Sequence, residues 1–173
     1  NLTATAQTVT FTVRPTYHNN GLDCEGADST FTVTVNPQVV MNTPVDQTIC
    51  SDSSIAAIVF GTTITDGTMS YAWTRDNTTN VTGLAASGTS NIDVTALKNT
   101  TTTVQTTVFT VTPTYDNNGI SCTGTPVTFQ IKVNPEVILS VTNANQSIVF
   151  GDEIDTVEVD FSSHANLTYS VPA

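Results

Sequence analysis

Between Val104 and Val133 apolar side chains fall on every second position: Phe109, Val111, Pro113 and Tyr115, then Phe129, Ile131 and Val133, with Thr, Gln and Lys between them. A period of two puts one set of side chains on one face of a pleated strand and the other set toward water. The pattern predicts strands over Val104 to Tyr115 and Pro126 to Val133. Asp116-Asn117-Asn118-Gly119 reads as the turn between them, because Asn and Gly tolerate the left-handed backbone that tight hairpins need. Weaker alternation predicts further strands at Val39 to Asn42, Ile55 to Phe60, Met69 to Arg75, Asn80 to Thr82 and Ile92 to Ala96. No stretch carries a helical period.

The same pattern occurs twice. Phe11 to Pro37 aligns without a gap on Phe109 to Pro135 with 16 of 27 residues identical, an offset of 98. Asn36-Pro37 and Asn134-Pro135 punctuate the unit, and proline after an extended residue makes a short, stiff link. A third copy starts after Pro135, where Gln146-Ser147-Ile148 answers Gln47-Thr48-Ile49 and Leu167-Thr168-Tyr169 answers Met69-Ser70-Tyr71. The expected organisation is the C-terminal part of one repeat in residues 1–37, a complete repeat in 38–135, and the N-terminal part of the next in 136–173. Seven short strands in about 100 residues, with Trp73 in mid-strand as core anchor, imply an all-β chain of immunoglobulin-like β-sandwich repeats with a period of about 98 residues.

Composition adds to this picture. Thr and Val suit strands, while Asn and Gly suit turns. Fifteen acidic residues against four Lys and Arg give a net charge of −11, which disfavours nucleic acid and anionic lipid surfaces as partners. No run approaches the ~20 apolar residues of a membrane-spanning helix. Neighbouring repeats of the same chain are the expected partners, with a surface polysaccharide or other cell-surface ligand as a further one.

Cys24 and Cys122 occupy the same repeat position, and Cys50 lies early in the complete unit. If each unit closes its own bridge, Cys50 pairs with Cys122 and Cys24 pairs outside the chain. A bridge between units, Cys24 to Cys50, is the rival. The within-unit bridge is preferred because the third copy has Val149 where Cys50 would recur. Repeat-placed cysteines in a Thr- and Asn-rich chain fit an extracellular protein.

Material for catalysis is poor. His18 and His164 are the only histidines, His18 reads as a solvated turn residue, and no nucleophile elbow, zinc-binding helix or phosphate loop occurs. The expectation is a protein that is not an enzyme and has no cofactor. Calcium stays open beside a plain solvated face, with Asp152, Glu153 and Asp155 as candidate ligands, although the complete unit keeps fewer acids there. Asn-x-Ser/Thr sequons stand at Asn1, Asn77, Asn80, Asn99, Asn145 and Asn166. Ser29 in "DST" and Thr156 in "DTV" are candidates for O-linked sugar.

The wording "QTIC", "YAWTRDN", "GLAASGTSNI" and "TVTPTYDNNGISCTGTPVTFQIKVNP" resembles the PKD-like, immunoglobulin-like repeats of very large secreted surface proteins of Bacteroidota. The resemblance spans Gln38 to Pro135 and both flanks. It implies a type IX secreted adhesin or filament at the cell surface, attached at the outer membrane through other parts of the chain; gliding adhesins of the SprB type are one such class. The expected function is a structural stalk that holds an adhesive tip away from the cell. The alternatives are a glycan- or polymer-binding sandwich module and a fimbria-like subunit that polymerises by strand complementation.

Overall fold

A computed structural model describes residues 1–142, 150, 151, 153 and 158–161. The chain is all-β there, with no helix. Its elements are β1 (Gln7–Val13), β2 (Thr16–Asn19), β3 (Leu22–Glu25), β4 (Ser29–Val35), β5 (Gln47–Cys50), β6 (Ser53–Ser54), β7 (Thr68–Arg75), β8 (Val81–Thr82), β9 (Ser87–Gly88), β10 (Ala96–Asn99), β11 (Gln105–Asn117), β12 (Ile120–Thr123), β13 (Val127–Asn134), β14 (Leu139–Thr142) and β15 (Glu158–Phe161). They fall into two compact units, and β7, β11 and β13 contribute residues to both.

The second unit comprises Thr43–Val59, Trp73–Thr110 and Thr128–Ala173. Its larger sheet runs β5-β13-β11-β7-β9 and its smaller one β6-β10-β8. Both sheets supply core residues: Trp73, Phe109, Phe129, Ile131 and Val133 from the larger, Val81 and Leu97 from the smaller, joined by Ile55, Ile58 and Ile92. This is a β-sandwich. Phe109 stacks on Phe129 with ring centroids 4.7 Å apart and tilts against Trp73 at 5.9 Å. The indole N–H of Trp73 donates to the Ser90 carbonyl at 2.9 Å, so a buried ring keeps its polar atom satisfied.

The alternation of β11 and β13 is as the sequence predicts, with Thr107, Phe109, Val111, Pro113 and Tyr115 inward. Other strands differ. Val39 to Asn42 forms no strand, and Ile55 to Phe60 contributes only an isolated bridge between Ile58 and Ile92. Instead of a strand at Ile92 to Ala96, the pairing segment is β10, and β5 pairs with β13 in parallel, Ile131 opposite Gln47 and Asn134 opposite Cys50. A parallel edge strand of four residues has too few positions to show a period.

Arg75 is buried, and among the described residues no carboxylate sits on its guanidinium. It donates to the carbonyls of Val81, Leu84 and Ala85, fastening the segment between β7 and β9. Burial lowers its pKa, against the nearby charge of Asp76, which raises it.

The first unit comprises Asn1–Asn42, Phe60–Ala72 and Val111–Val127. Here β1 pairs with β4 and β2 with β3, both antiparallel, and β12 pairs with β11. Asn118 and Gly119, with φ of 51° and 83°, make a two-residue hairpin turn from β11 to β12, and Asn20 and Gly21 repeat it at 47° and 79°. Thus Asn117 is a strand residue, not part of the turn tip. Phe11 stacks on Phe31 at 5.0 Å, as Phe109 does on Phe129. Yet Phe11 is 45% and Phe31 52% exposed, where Phe109 and Phe129 are at 0% and 4%.

Candidate functional site: a polar junction between the repeated segments

The segment between Phe60 and Thr68 closes over Tyr115. Gly67, at φ +62°, permits this approach, since a Cβ there would lie 2.5 Å from the Tyr115 ring. The preceding residue, Asp66, is thereby delivered to the phenol. One of its oxygens accepts the Tyr115 hydroxyl at 3.1 Å and the other the Ala6 amide at 2.7 Å, while the Thr65 amide donates to the Ala4 carbonyl at 2.9 Å. One carboxylate therefore ties the segment before β1 to the buried ring of β11.

A second contact set lies at the Asn-Pro link. Asn36 accepts from the Asn117 amide at 3.0 Å and donates to Cys122 Sγ at 3.6 Å. The Gln38 amide donates to the Asn1 carbonyl at 2.8 Å. Burial raises the pKa of Tyr115, and so does its bond to Asp66, with the charges of Asp66, Cys122 and Asp116 adding to the effect.

Both copies carry the same internal clamp. Asn99 donates to the carbonyls of Thr103 and Val133 at 2.8 and 2.9 Å, and its Oδ1 accepts the Thr101 amide and hydroxyl, each at 2.9 Å. Asn1 donates to Thr5 and Val35 at 2.9 and 2.8 Å and accepts from Thr3 at 3.0 and 2.8 Å. Every partner is shifted by 98 positions. Asn99 is 3% exposed, so this sequon amide is structural and closed to a sugar in the folded chain. The amides of Asn77 and Asn80 are likewise engaged, with Thr106 and Asn77 respectively.

The cysteine expectation is corrected: Cys24, Cys50 and Cys122 are all free thiols. Cys50 belongs to the second unit, opposite Asn134, whereas Cys122 belongs to the first, opposite Tyr115 and against Asn36. Each is anchored to a different stretch of backbone. The rival Cys24–Cys50 bridge is absent as well.

Of the calcium candidates, Glu153 is exposed, and Asp152 and Asp155 lie outside the described residues. Among the described residues no group of three or more His, Cys, Asp or Glu side chains could hold a metal. Asp116 is used by its own turn, accepting the Gly119 amide at 3.1 Å. Ser29 is exposed at the start of β4, while Thr156, His164, Asn145 and Asn166 lie outside the described residues. His18 stands on β2, its Nδ1 against the Asp23 carboxylate across the hairpin, rather than at the turn tip. Trp73 is 5% exposed in the core of the second unit.

Shallow grooves open on the surface of the described residues, among them the following. One, of about 500 Å³, is lined by Thr43, Pro44, Val45, Gln47 and Ala56 to Val59. Another, of about 200 Å³, is lined by Leu2 to Ala4, Gln38, Val40, Thr63 and Ile64. Neither presents an aromatic or charged side chain to a sugar ring. Sequence reasoning passed over Asp66, Asn36, Asn99 and Arg75. The recurrence of Asn1 at Asn99 and of Asn36 at Asn134 was the available signal.

A model of the PKD-like domain family matches residues 1–39 and 47–137. No curated protein matches the chain.

Proposed function

We propose, from the premise that the chain belongs to the PKD-like domain family, a non-catalytic immunoglobulin-like fold, that it is a stretch of a structural stalk. In this reading, sandwich repeats with a 98-residue period are joined in tandem within a large secreted surface adhesin or filament, of the class that includes type IX secreted gliding adhesins. The stalk holds an adhesive tip away from the cell. The observation that carries the reading is the junction, in which Asp66 binds both Ala6 and Tyr115 and Asn36 binds Asn117. A link with its own hydrogen bonds is stiffer than a free linker, and reach depends on stiffness.

The exposed face of the β1-β4 pair supports the same reading. Val9, Phe11, Val13, Phe31, Val33 and Val35 are each 42–53% exposed. Leaving six such side chains half uncovered forgoes on the order of 5–10 kcal/mol of burial. A segment equivalent to Thr43 to Asn99, in the same chain, is the natural cover. A second reading rests on this face as well: a fimbria-like subunit whose neighbour covers it by strand complementation. Denaturing electrophoresis of the reduced native protein tests both. Hundreds of kilodaltons is the expected result, and a mass near the 18.3 kDa of this chain overturns the stalk in favour of complementation between subunits.

A further inference from the structure

We propose that the repeats are stitched by disulfides across each junction, from the cysteine at the Cys50 place of one repeat to the cysteine at the Cys122 place of the next. The inference rests on the tandem reading above.

Two contacts locate the partners. At the junction present here, Cys122 Sγ lies 3.6 Å from the side-chain nitrogen of Asn36. Asn134 is the counterpart of Asn36 one repeat later, and Cys50 is its neighbour in the parallel β5–β13 pairing. The Ser51 amide, donating to the Asn134 carbonyl at 3.0 Å, closes this pairing. Adjacent strands are about 4.8 Å apart. A cysteine at the Cys50 place therefore stands one strand spacing from the asparagine that touches the next repeat's Cys122-type sulfur. Both cysteines therefore flank the same asparagine, one across the strand pairing and one against its side chain, and the bridge requires the junction to bring their Cα atoms to about 4.4–6.8 Å.

The proposal accounts for all three thiols of the chain. Cys24 and Cys122 take partners at the Cys50 place of the repeats that precede theirs, and Cys50 takes one at the Cys122 place of the repeat that follows. No two of them are partners of each other, in agreement with their being free. Cys50 is exposed, which leaves it open to oxidation. In that step one thiolate attacks a sulfur of a disulfide-bearing oxidant, such as a thiol-disulfide oxidoreductase or glutathione disulfide. The second thiolate then attacks the protein sulfur of the mixed disulfide, breaking its S–S bond and expelling the oxidant's remaining thiol. One S–S bond forms, two protons leave, and the oxidant takes up the two electrons as two thiols. Val149, at the Cys50 place of the third copy, implies that the junction after that copy has no bridge.

The test uses the native protein, alkylated with iodoacetamide and digested without reduction before peptide mapping. The expected result links the Cys50 peptide and the Cys122 peptide each to a cysteine peptide from outside residues 1–173, the first to a later repeat and the second to an earlier one. A Cys50–Cys122 link, a Cys24–Cys50 link or full alkylation overturns the proposal. The reduced mass is read separately, so a large mass with alkylated cysteines defeats the bridge alone, while a small mass defeats the tandem reading. The 173-residue chain offers a second arm. With Asn36→Cys, oxidation by glutathione disulfide and gel filtration, the expected outcome in the mapped peptides is a crosslink from the introduced thiol to Cys122; its absence in a folded variant overturns the proposed geometry.

Discussion

Asp66 accepts the Tyr115 hydroxyl through one carboxylate oxygen at 3.1 Å and the Ala6 amide through the other at 2.7 Å. This one side chain ties a segment of the first repeated copy to the buried ring of the second. Asp66→Ala leaves both donors without their acceptor. The expected cost is about 1–3 kcal/mol in urea unfolding followed by circular dichroism, with faster proteolysis of residues 1–37. Unchanged proteolysis would show that the junction does not depend on this carboxylate.

The same pair sets an alkaline limit. Burial of Tyr115 and its bond to Asp66 raise the phenol pKa, and burial raises that of Tyr71. A tyrosine whose folded pKa lies above its unfolded value of about 10 contributes its full stability below that pH and loses it as pH rises through the folded value. Thermal midpoints are expected to hold steady from neutral pH up to about 10 and to fall above it. Tyr115→Phe should flatten that fall; an equally steep profile would assign it to other groups.

Asn99 and Asn1 make matched bonds in different surroundings. Asn99→Ala strips a buried network and is expected to cost about 2–4 kcal/mol, since it leaves buried carbonyls and an amide unsatisfied. Asn1→Ala, at an exposed site, is expected to cost under about 0.5 kcal/mol. Equal losses in chemical denaturation would contradict the role of burial in this contrast.

Gly88 lies under the indole of Trp73, where an added Cβ would meet Cζ2 at 2.6 Å. Gly88→Ala forces the ring or the strand to shift, at an expected cost of about 1–3 kcal/mol. Trp73 is the only tryptophan, so its emission maximum reads the shift directly. A native spectrum with native stability would show that the strand yields freely.

Phe109→Ala should cost about 3–5 kcal/mol, while Phe11→Ala, at a half-exposed copy of the same stacked pair, should cost less than about half of that in this chain. In the full-length protein, where the stalk reading covers the Phe11 face, the two losses should converge. Persistent disparity there, measured by hydrogen exchange, would leave that face uncovered.

The sequence was most legible where each residue's fate followed from its neighbours in the chain. Phe109 to Tyr115 and Phe129 to Val133 alternate because both strands bury one face, and Asn118-Gly119 turns because these residues accept positive φ. The Phe11–Phe31 stack matches the Phe109–Phe129 stack at equivalent positions of the repeated segment. Legibility failed at Gln47–Cys50, whose pairing is parallel and therefore closed by no local turn. It failed at Ile55 to Phe60, where apolar residues bury from irregular backbone rather than from a ladder.

Read alone, the sequence was enough for the all-β class, the likeness of Phe11–Pro37 to Phe109–Pro135, the strand faces and the turns, because period, proline and glycine act through local backbone geometry. Contacts between distant segments supplied the rest: Cys50 and Cys122 stand as free thiols on β5 and β12, Asp66 joins Ala6 to Tyr115, and Asn99 is a clamp rather than a glycosylation site. Those outcomes depend on which distant segments meet, and residues tens of positions apart leave no periodic trace of their meeting.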